Sequence, residues 1–179
     1  MKPYTNSENS NNIFRIKINS ETAKFILIFI GSLSVFYFIS IQFESFIPLF
    51  NMLSTTKTLF YFLKTIGINA DISENQIIFP NFSIEVIRQC TGIFEVIAII
   101  SCILGFPSSI KKKIIGIFMA VPIIYFFNMG RLIFLSIIGV YYQPLFEIIH
   151  EYLLQVTFVF FVIFFWVFWI DKVVKNGKI

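Results

Sequence analysis

The sequence predicts an all-α membrane protein with about four transmembrane helices, an interfacial amphipathic helix and a short extracytoplasmic β-hairpin. Of its 179 residues, 57% are hydrophobic, 19% are aromatic and only 13% are charged. The mean hydropathy is +0.83, whereas a soluble domain of this size needs far more polar residues to cover its surface. Charged and apolar residues also alternate in blocks, as loops and bilayer spans require. The net charge of +4 forms no basic groove, so the expected partner is the lipid bilayer and not nucleic acid.

Apolar segments of about 18 residues or more predict one multi-pass membrane domain over residues 24–170, because each is long enough for a hydrocarbon core of about 30 Å. The predicted spans are 24–43, 89–106, 114–142 and 152–170. The 114–142 segment is longer than a bilayer needs, so we expect it to tilt or to project beyond the membrane.

The segment between the first two predicted spans, 44–88, contains no certain span. Residues 46–68 carry Asn51, Lys57 and Lys64 among apolar residues that lie partly on one face. This pattern favours an amphipathic helix at the membrane interface. The β-branched runs that follow are broken by Asn, Asp and Pro, which predicts a short hairpin.

The distribution of basic residues predicts the topology. Four spans place both termini and the loop "PSSIKKK" on one side, which then carries ten basic residues: Lys2, Arg15, Lys17, Lys24, Lys111, Lys112, Lys113, Lys172, Lys175 and Lys178. The other side carries three: Lys57, Lys64 and Arg88. The positive-inside rule therefore predicts a polar cytoplasmic tail at 1–23, a basic cytoplasmic tail at 171–179 and an extracytoplasmic segment at 44–88.

Three chemically active side chains fall at one depth in this topology. Cys90 lies near the outer end of the second span, and His150 directly precedes the last. Arg131 lies 17 residues after Ile114, or about 26 Å up a helix, which places it just under the outer surface. Each has a simpler interpretation: a small apolar filler for the cysteine, an ion pair or snorkelling for the arginine, and an ordinary interfacial residue for the histidine. Cys102, deep in the second span, is interpreted as such a filler.

Together these residues suit nucleophilic acyl chemistry at the extracytoplasmic face. Cys90 would attack a carbonyl, His150 would move the proton and Arg131 would stabilise the oxyanion. Arg88 favours the thiolate of the neighbouring cysteine, and Asn128 shares a helical face with the arginine. No metal or other cofactor is expected, since one histidine and two distant cysteines form no metal site.

Two acidic positions remain open at this stage. Glu147 or Glu151 would orient the imidazole, or both would belong to a solvated acidic rim. Glu95, inside the second span, would be either the partner of Arg131 or a contact of the substrate.

The motifs "CTGI" at 90–93, "NMGRL" at 128–132 and "HE" at 150–151 resemble the signature of the exosortase/archaeosortase family of membrane transpeptidases. That family has a Cys-Ser/Thr-Gly tripeptide opening one span, Asn-x-x-Arg in the next, and a histidine or arginine before the last. The similarity extends over roughly residues 50 to 170. It includes an amphipathic helix, a turn and a hairpin before the cysteine, and the basic loop "FPSSIKKKIIGI".

The resemblance implies a cysteine transpeptidase or protease of the cell membrane. Its partners would be exported proteins with a C-terminal tripartite sorting signal, and a membrane lipid or other amine or hydroxyl acceptor. It implies that Cys90 is the nucleophile, Arg131 the transition-state stabiliser and His150 the general acid and base. The alternative is a non-enzymatic transporter subunit or assembly factor, in which Arg131 and Glu95 form a structural pair.

Overall fold

A computed structural model describes residues 20–42 and 51–175, without the side chains of residue 151 and of 153–155. Most of the predicted tail 1–23, the last four residues of the tail 171–179 and the stretch 43–50 therefore lie outside the described residues. The described elements are α1 (Ser20–Gln42), α2 (Met52–Thr65), β1 (Asp71–Ser73), β2 (Gln76–Phe79), β3 (Phe82–Glu85), α3 (Ile93–Gly105), α4 (Ile110–Tyr141) and α5 (Gln143–Trp169). The predicted fold class, a helical membrane protein with a small β element, is confirmed.

Three helical segments within the described ranges are long and apolar enough to cross a membrane. They are α1, α4 and the stretch Val156–Lys175, which consists of the second half of α5 and the π-helical turn Ile170–Lys175 that follows it. The predicted span 89–106 is α-helical only over Ile93–Gly105, and its 13 residues rise about 20 Å. This helix, α3, is buried over most of its surface and packs against α1, α4 and α5, so it forms the centre of the bundle.

The predicted hairpin is a three-stranded antiparallel sheet in the order β1–β2–β3. Two tight turns separate the strands, one at Glu74–Asn75 and one at Pro80–Asn81. Glu74 takes a positive φ of 51°, a conformation typical of such turns. In β2, Ile77 and Phe79 are buried and their neighbours are exposed, as a sheet packed on one face requires.

The predicted amphipathic helix is α2, which packs against this sheet and against α4. Asn51 caps it by accepting a hydrogen bond of 2.8 Å from the backbone N–H of Leu53. Its buried face, with Leu59 and Leu63, shares one apolar cluster with β2 and with Cys90. We call α2 and the three strands the cap; it covers the end of the bundle where the cysteine lies.

The other end of the bundle is held together by lysines in the first turn of α4, at positions that the sequence assigned to a basic loop. Lys113 Nζ donates to the carbonyl oxygen of Leu104 at 2.6 Å, at the end of α3. Lys112 Nζ donates to the carbonyl of Val174, and its own carbonyl accepts from the Trp169 indole at 3.1 Å. Lysines that satisfy the last carbonyls of helices are favoured there by the helix dipole.

Candidate active site

Cys90 lies on a short 3-10 turn, Arg88–Cys90, and not on α3 as the span 89–106 predicted. The turn is separated from the helix by Thr91 and Gly92. The Thr91 hydroxyl donates to the carbonyl of Arg88 at 2.8 Å, which closes the turn. Gly92 has a φ of 84°, a left-handed conformation that breaks the helix before it reaches the cysteine. The "CTG" tripeptide therefore forms a bend between the turn that carries the thiol and α3.

Asn128 on α4 holds this bend. Its Nδ2 donates to the Cys90 carbonyl oxygen at 2.7 Å, within the range of a good hydrogen bond. The side chain also lies against Gly92, where an added Cβ would come within 3.3 Å of the Asn128 Cβ and Cγ. A glycine is thus needed both for its φ and for this close approach.

Arg131 lies one turn further along α4 and is 6% exposed. Its Nη1 is 3.4 Å from Glu95 Oε1 on α3, and its Nη2 is 3.5 Å from the carbonyl of Gln89 in the cysteine turn. Both distances are longer than an ordinary N–H···O bond. The Asn-x-x-Arg spacing therefore brings an amide and a guanidinium to the same turn from one helical face.

His150 lies in the second turn of α5. Its ring stacks on Phe146 with centroids 5.5 Å apart, and Phe146 meets the β3 residue Phe82 edge-on at 4.7 Å. Phe82 in turn packs directly on Gly139 of α4. This aromatic chain fixes the histidine against the cap.

Burial of the imidazole, helped by the nearby charge of Arg131, lowers the pKa of His150 below its ordinary value. A histidine with a lowered pKa is neutral at physiological pH and is able to accept a proton. Among the described residues, no hydrogen bond joins it to Cys90.

The structure brings together Cys90, Glu95, Asn128 and Arg131, and burial, with the positive charge of Arg131, lowers the pKa of His150. The thiol is 3% exposed, beneath the apolar residues of the cap.

Arg88 contacts the first helix. Its Nη2 donates to the carbonyl of Ser40 and lies 3.2 Å from the Ser40 hydroxyl, so the guanidinium contacts α1. This contact ties the cysteine turn to the first helix, and the effect of Arg88 on the thiolate stays a prediction.

The other residues considered for the site form no hydrogen bond or ion pair with this cluster among the described residues. Glu147 is exposed and Cys102 is a buried free thiol inside α3, while the side chain of Glu151 lies outside the described residues. Within the part of the chain that the structure describes, no group of His, Cys, Asp and Glu is placed to bind a metal.

The sequence did not indicate several residues that shape the site, some of which have a local sequence signal and one of which has none. Thr91 and Gly92 were noted as part of a motif without a structural role, although a threonine followed by glycine before an apolar run is a signal for a bend. Phe146 has the spacing of a stacking partner, four residues before His150. Thr157 lines a small cavity beside Arg131, and nothing in the run "QVTFVF" indicated it.

The fold and this site define a multi-pass membrane protein with a buried cysteine–arginine centre. A family model described as transmembrane exosortase (Exosortase_EpsH) matches residues 21–170. Because the match covers most of the chain, this protein belongs to the transmembrane exosortase family, and the resemblance seen in its motifs is confirmed.

A curated relative is also similar to this chain. It is the probable archaeosortase E of Methanocaldococcus jannaschii, which is 34% identical over 110 residues, or 62% of this chain and 55% of the relative. The chain therefore spans about half the length of the curated relative that it matches. No solved structure matches the chain.

Proposed function

We propose that this protein is a cysteine transpeptidase that cleaves the C-terminal sorting signal of exported proteins and passes the new C-terminus to a membrane acceptor. The observation that carries the proposal is that a nucleophile and a buried cation meet at one backbone turn. The turn 88–90 presents Cys90 and receives both Asn128 and Arg131. Family membership supports the processing of sorting signals in general.

The reaction follows from these groups. The Cys90 thiolate attacks the scissile carbonyl, and the guanidinium of Arg131 stabilises the oxyanion of the tetrahedral intermediate. His150, having taken the thiol proton, gives it to the leaving amine, so the C–N bond breaks and a thioester remains. An acceptor hydroxyl or amine then attacks the thioester, His150 takes its proton, and the thiol is restored when that proton returns.

The surroundings favour transfer over hydrolysis. Cys90 is almost completely buried, and its neighbours in the cap are apolar. A thioester formed there meets little water, so an acceptor delivered from the membrane has the advantage.

The proposed topology places this end of the bundle at the extracytoplasmic face, with both tails in the cytoplasm. Supporting it, three lysines lie at the opposite end in the first turn of α4, where Lys112 and Lys113 donate to the π-helical turn after α5 and to the end of α3. The scissile bond of a signal that is anchored by its own apolar helix would then lie beside Cys90. Reporter fusions after residues 68 and 108 test this orientation: the first should report outside and the second inside.

The decisive experiment is co-expression with an exported protein that ends in a short motif, an apolar helix and basic residues. Cys90→Ala and Arg131→Ala should each abolish its processing while both variants still insert in the membrane, and Cys102→Ala should process normally. Mass spectrometry should find a hydroxylamine-sensitive acyl group on Cys90. Normal processing by Cys90→Ala would refute the proposal.

The buried contact between Arg131 and Glu95 favours one alternative, a non-enzymatic transporter subunit or assembly factor held together by this pair. The side chains are only 3% and 9% exposed, and breaking a buried pair costs about 3–5 kcal/mol. In that case Cys90→Ser is silent, and the double variant Glu95→Arg, Arg131→Glu restores function. A transpeptidase stays inactive in both variants.

A further inference from the structure

A small cavity lies between α3, α4 and α5, behind the guanidinium of Arg131. Its volume is about 20 Å³, and its polar lining consists of Glu95, Asn128, Arg131 and Thr157. A cavity needs roughly 10–15 Å³ to hold one water molecule. This one therefore fits a single water and nothing larger.

Three of these residues have a buried polar atom without a partner among the described residues. They are Glu95 Oε2, Asn128 Oδ1 and Arg131 Nε. All three side chains are more than nine-tenths buried. Leaving such groups unpaired costs about 1–3 kcal/mol each, and more for charged groups.

The character of these atoms selects the occupant. Two are acceptors and one is an N–H donor, and the Thr157 hydroxyl can both donate and accept. A water molecule supplies two donors and two acceptor sites, which matches this set. The opposite charges of Arg131 and Glu95 lie 3.4 Å apart and largely cancel, so the cavity attracts neither a cation nor an anion strongly, and a neutral molecule fits it best.

We propose that this cavity is the site of one structural water and that Thr157 is a positioning residue that fixes Arg131 through it. The inference rests on the proposed transpeptidase function. It explains how the guanidinium is held when its two direct contacts, to Glu95 and to Gln89, are as long as 3.4 and 3.5 Å.

The same water joins the arginine to the nucleophile. Asn128 lines the cavity, its Oδ1 is buried without a partner among the described residues, and its Nδ2 donates to the Cys90 carbonyl. A water held by Thr157 thus connects Arg131 to the amide that holds the cysteine turn. Thr157 itself need not touch the substrate, so its loss should change the rate of the chemical step and not substrate affinity.

The first test compares variants at residue 157 in the full-length protein. Thr157→Val keeps the shape and removes the hydroxyl, and it should lower kcat about five- to tenfold with KM unchanged, as the loss of about 1 kcal/mol predicts. Thr157→Ser should restore kcat to within about twofold. The matched control is Thr55→Val, at a buried threonine of α2 whose hydroxyl has no partner among the described residues; it should process normally.

A wild-type kcat for Thr157→Val would overturn the inference. So would a Thr157→Ser variant as slow as Thr157→Val, because the methyl group and not the hydroxyl would then matter.

A second test does not depend on activity. Thermal unfolding in detergent is measured for Thr157→Val, for Glu95→Gln and for the double variant. If both side chains bind the same water, the two shifts in Tm should be clearly non-additive. Additive shifts would refute the water site even if the protein is a transpeptidase, and non-additive shifts without any processing would refute only the proposed function.

Discussion

Gly92 offers the sharpest test of how the cysteine turn is built. Gly92→Ala adds one methyl group at a φ of 84° and within 3.3 Å of the Asn128 side chain. The left-handed backbone costs a non-glycine residue about 1–2 kcal/mol. Displacing Asn128 from the Cys90 carbonyl removes a further 0.5–1.5 kcal/mol, about the net value of one hydrogen bond. We expect Gly92→Ala to destabilise the fold by about 2–3 kcal/mol.

Gly67 provides the matched control. It has the same φ of 84°, but an added Cβ would have nothing within 4 Å. Gly67→Ala should therefore lose only the backbone term and keep wild-type processing. Gly92→Ala should process about two- to tenfold more slowly, because the displaced Asn128 side chain weakens the one hydrogen bond that it donates to the cysteine turn, worth about 0.5–1.5 kcal/mol. The assay is the rate of signal cleavage in detergent, with Tm measured alongside. Equal rates for the two variants would refute the account of the turn.

Two further predictions concern pH and packing. The lowered pKa of His150 keeps its ring neutral at pH values where an ordinary histidine, at 6.5, would be protonated, so the fall of kcat/KM on the acid side should lie below pH 6.5. Phe146→Ala exposes the ring and should move this fall to higher pH. An unchanged pH profile for Phe146→Ala would contradict the prediction. Gly116 packs on the Trp169 indole with no room for a methyl group, so Gly116→Ala should lower the free energy of unfolding by about 1–3 kcal/mol. The control is Gly31→Ala, in open space on α1, which should be neutral or stabilising. Thermal unfolding in detergent measures both variants.

The sequence was informative where hydropathy or motif spacing decides the structure. Long apolar blocks predict transmembrane helices, and α1 and α4 lie where such blocks are found. The Asn-x-x-Arg spacing correctly predicted that Asn128 and Arg131 share a helical face. Glu95 was left open between two roles, and its contact with Arg131 at 3.4 Å supports the ion pair.

The sequence was less informative where a local bend overrides the periodic pattern. Residues 89–106 are apolar on average although Gln89 and Thr91 are polar, so hydropathy did not reveal the break at Gly92 that removes Cys90 from the helix. The partner of Arg88 was equally hidden, because its contact with Ser40 joins residues 48 positions apart. Single side chains that act through tertiary packing, such as Thr157, leave no local signal.

The shortness of α3 affects how deep in the bilayer Cys90 lies, and therefore how much water would reach the proposed cleavage site. Its 13 residues rise about 20 Å, and a bilayer core is about 30 Å thick. If the Gly105 end of α3 lies at one face of the hydrocarbon core, the turn that carries Cys90 lies roughly 10 Å below the opposite face. Irregular backbone is tolerated at such a depth only where protein encloses it, and α1, α4 and the cap do so. A helix a few turns longer would place the thiol among the headgroups, so the length of α3 would determine how little water the proposed reaction meets.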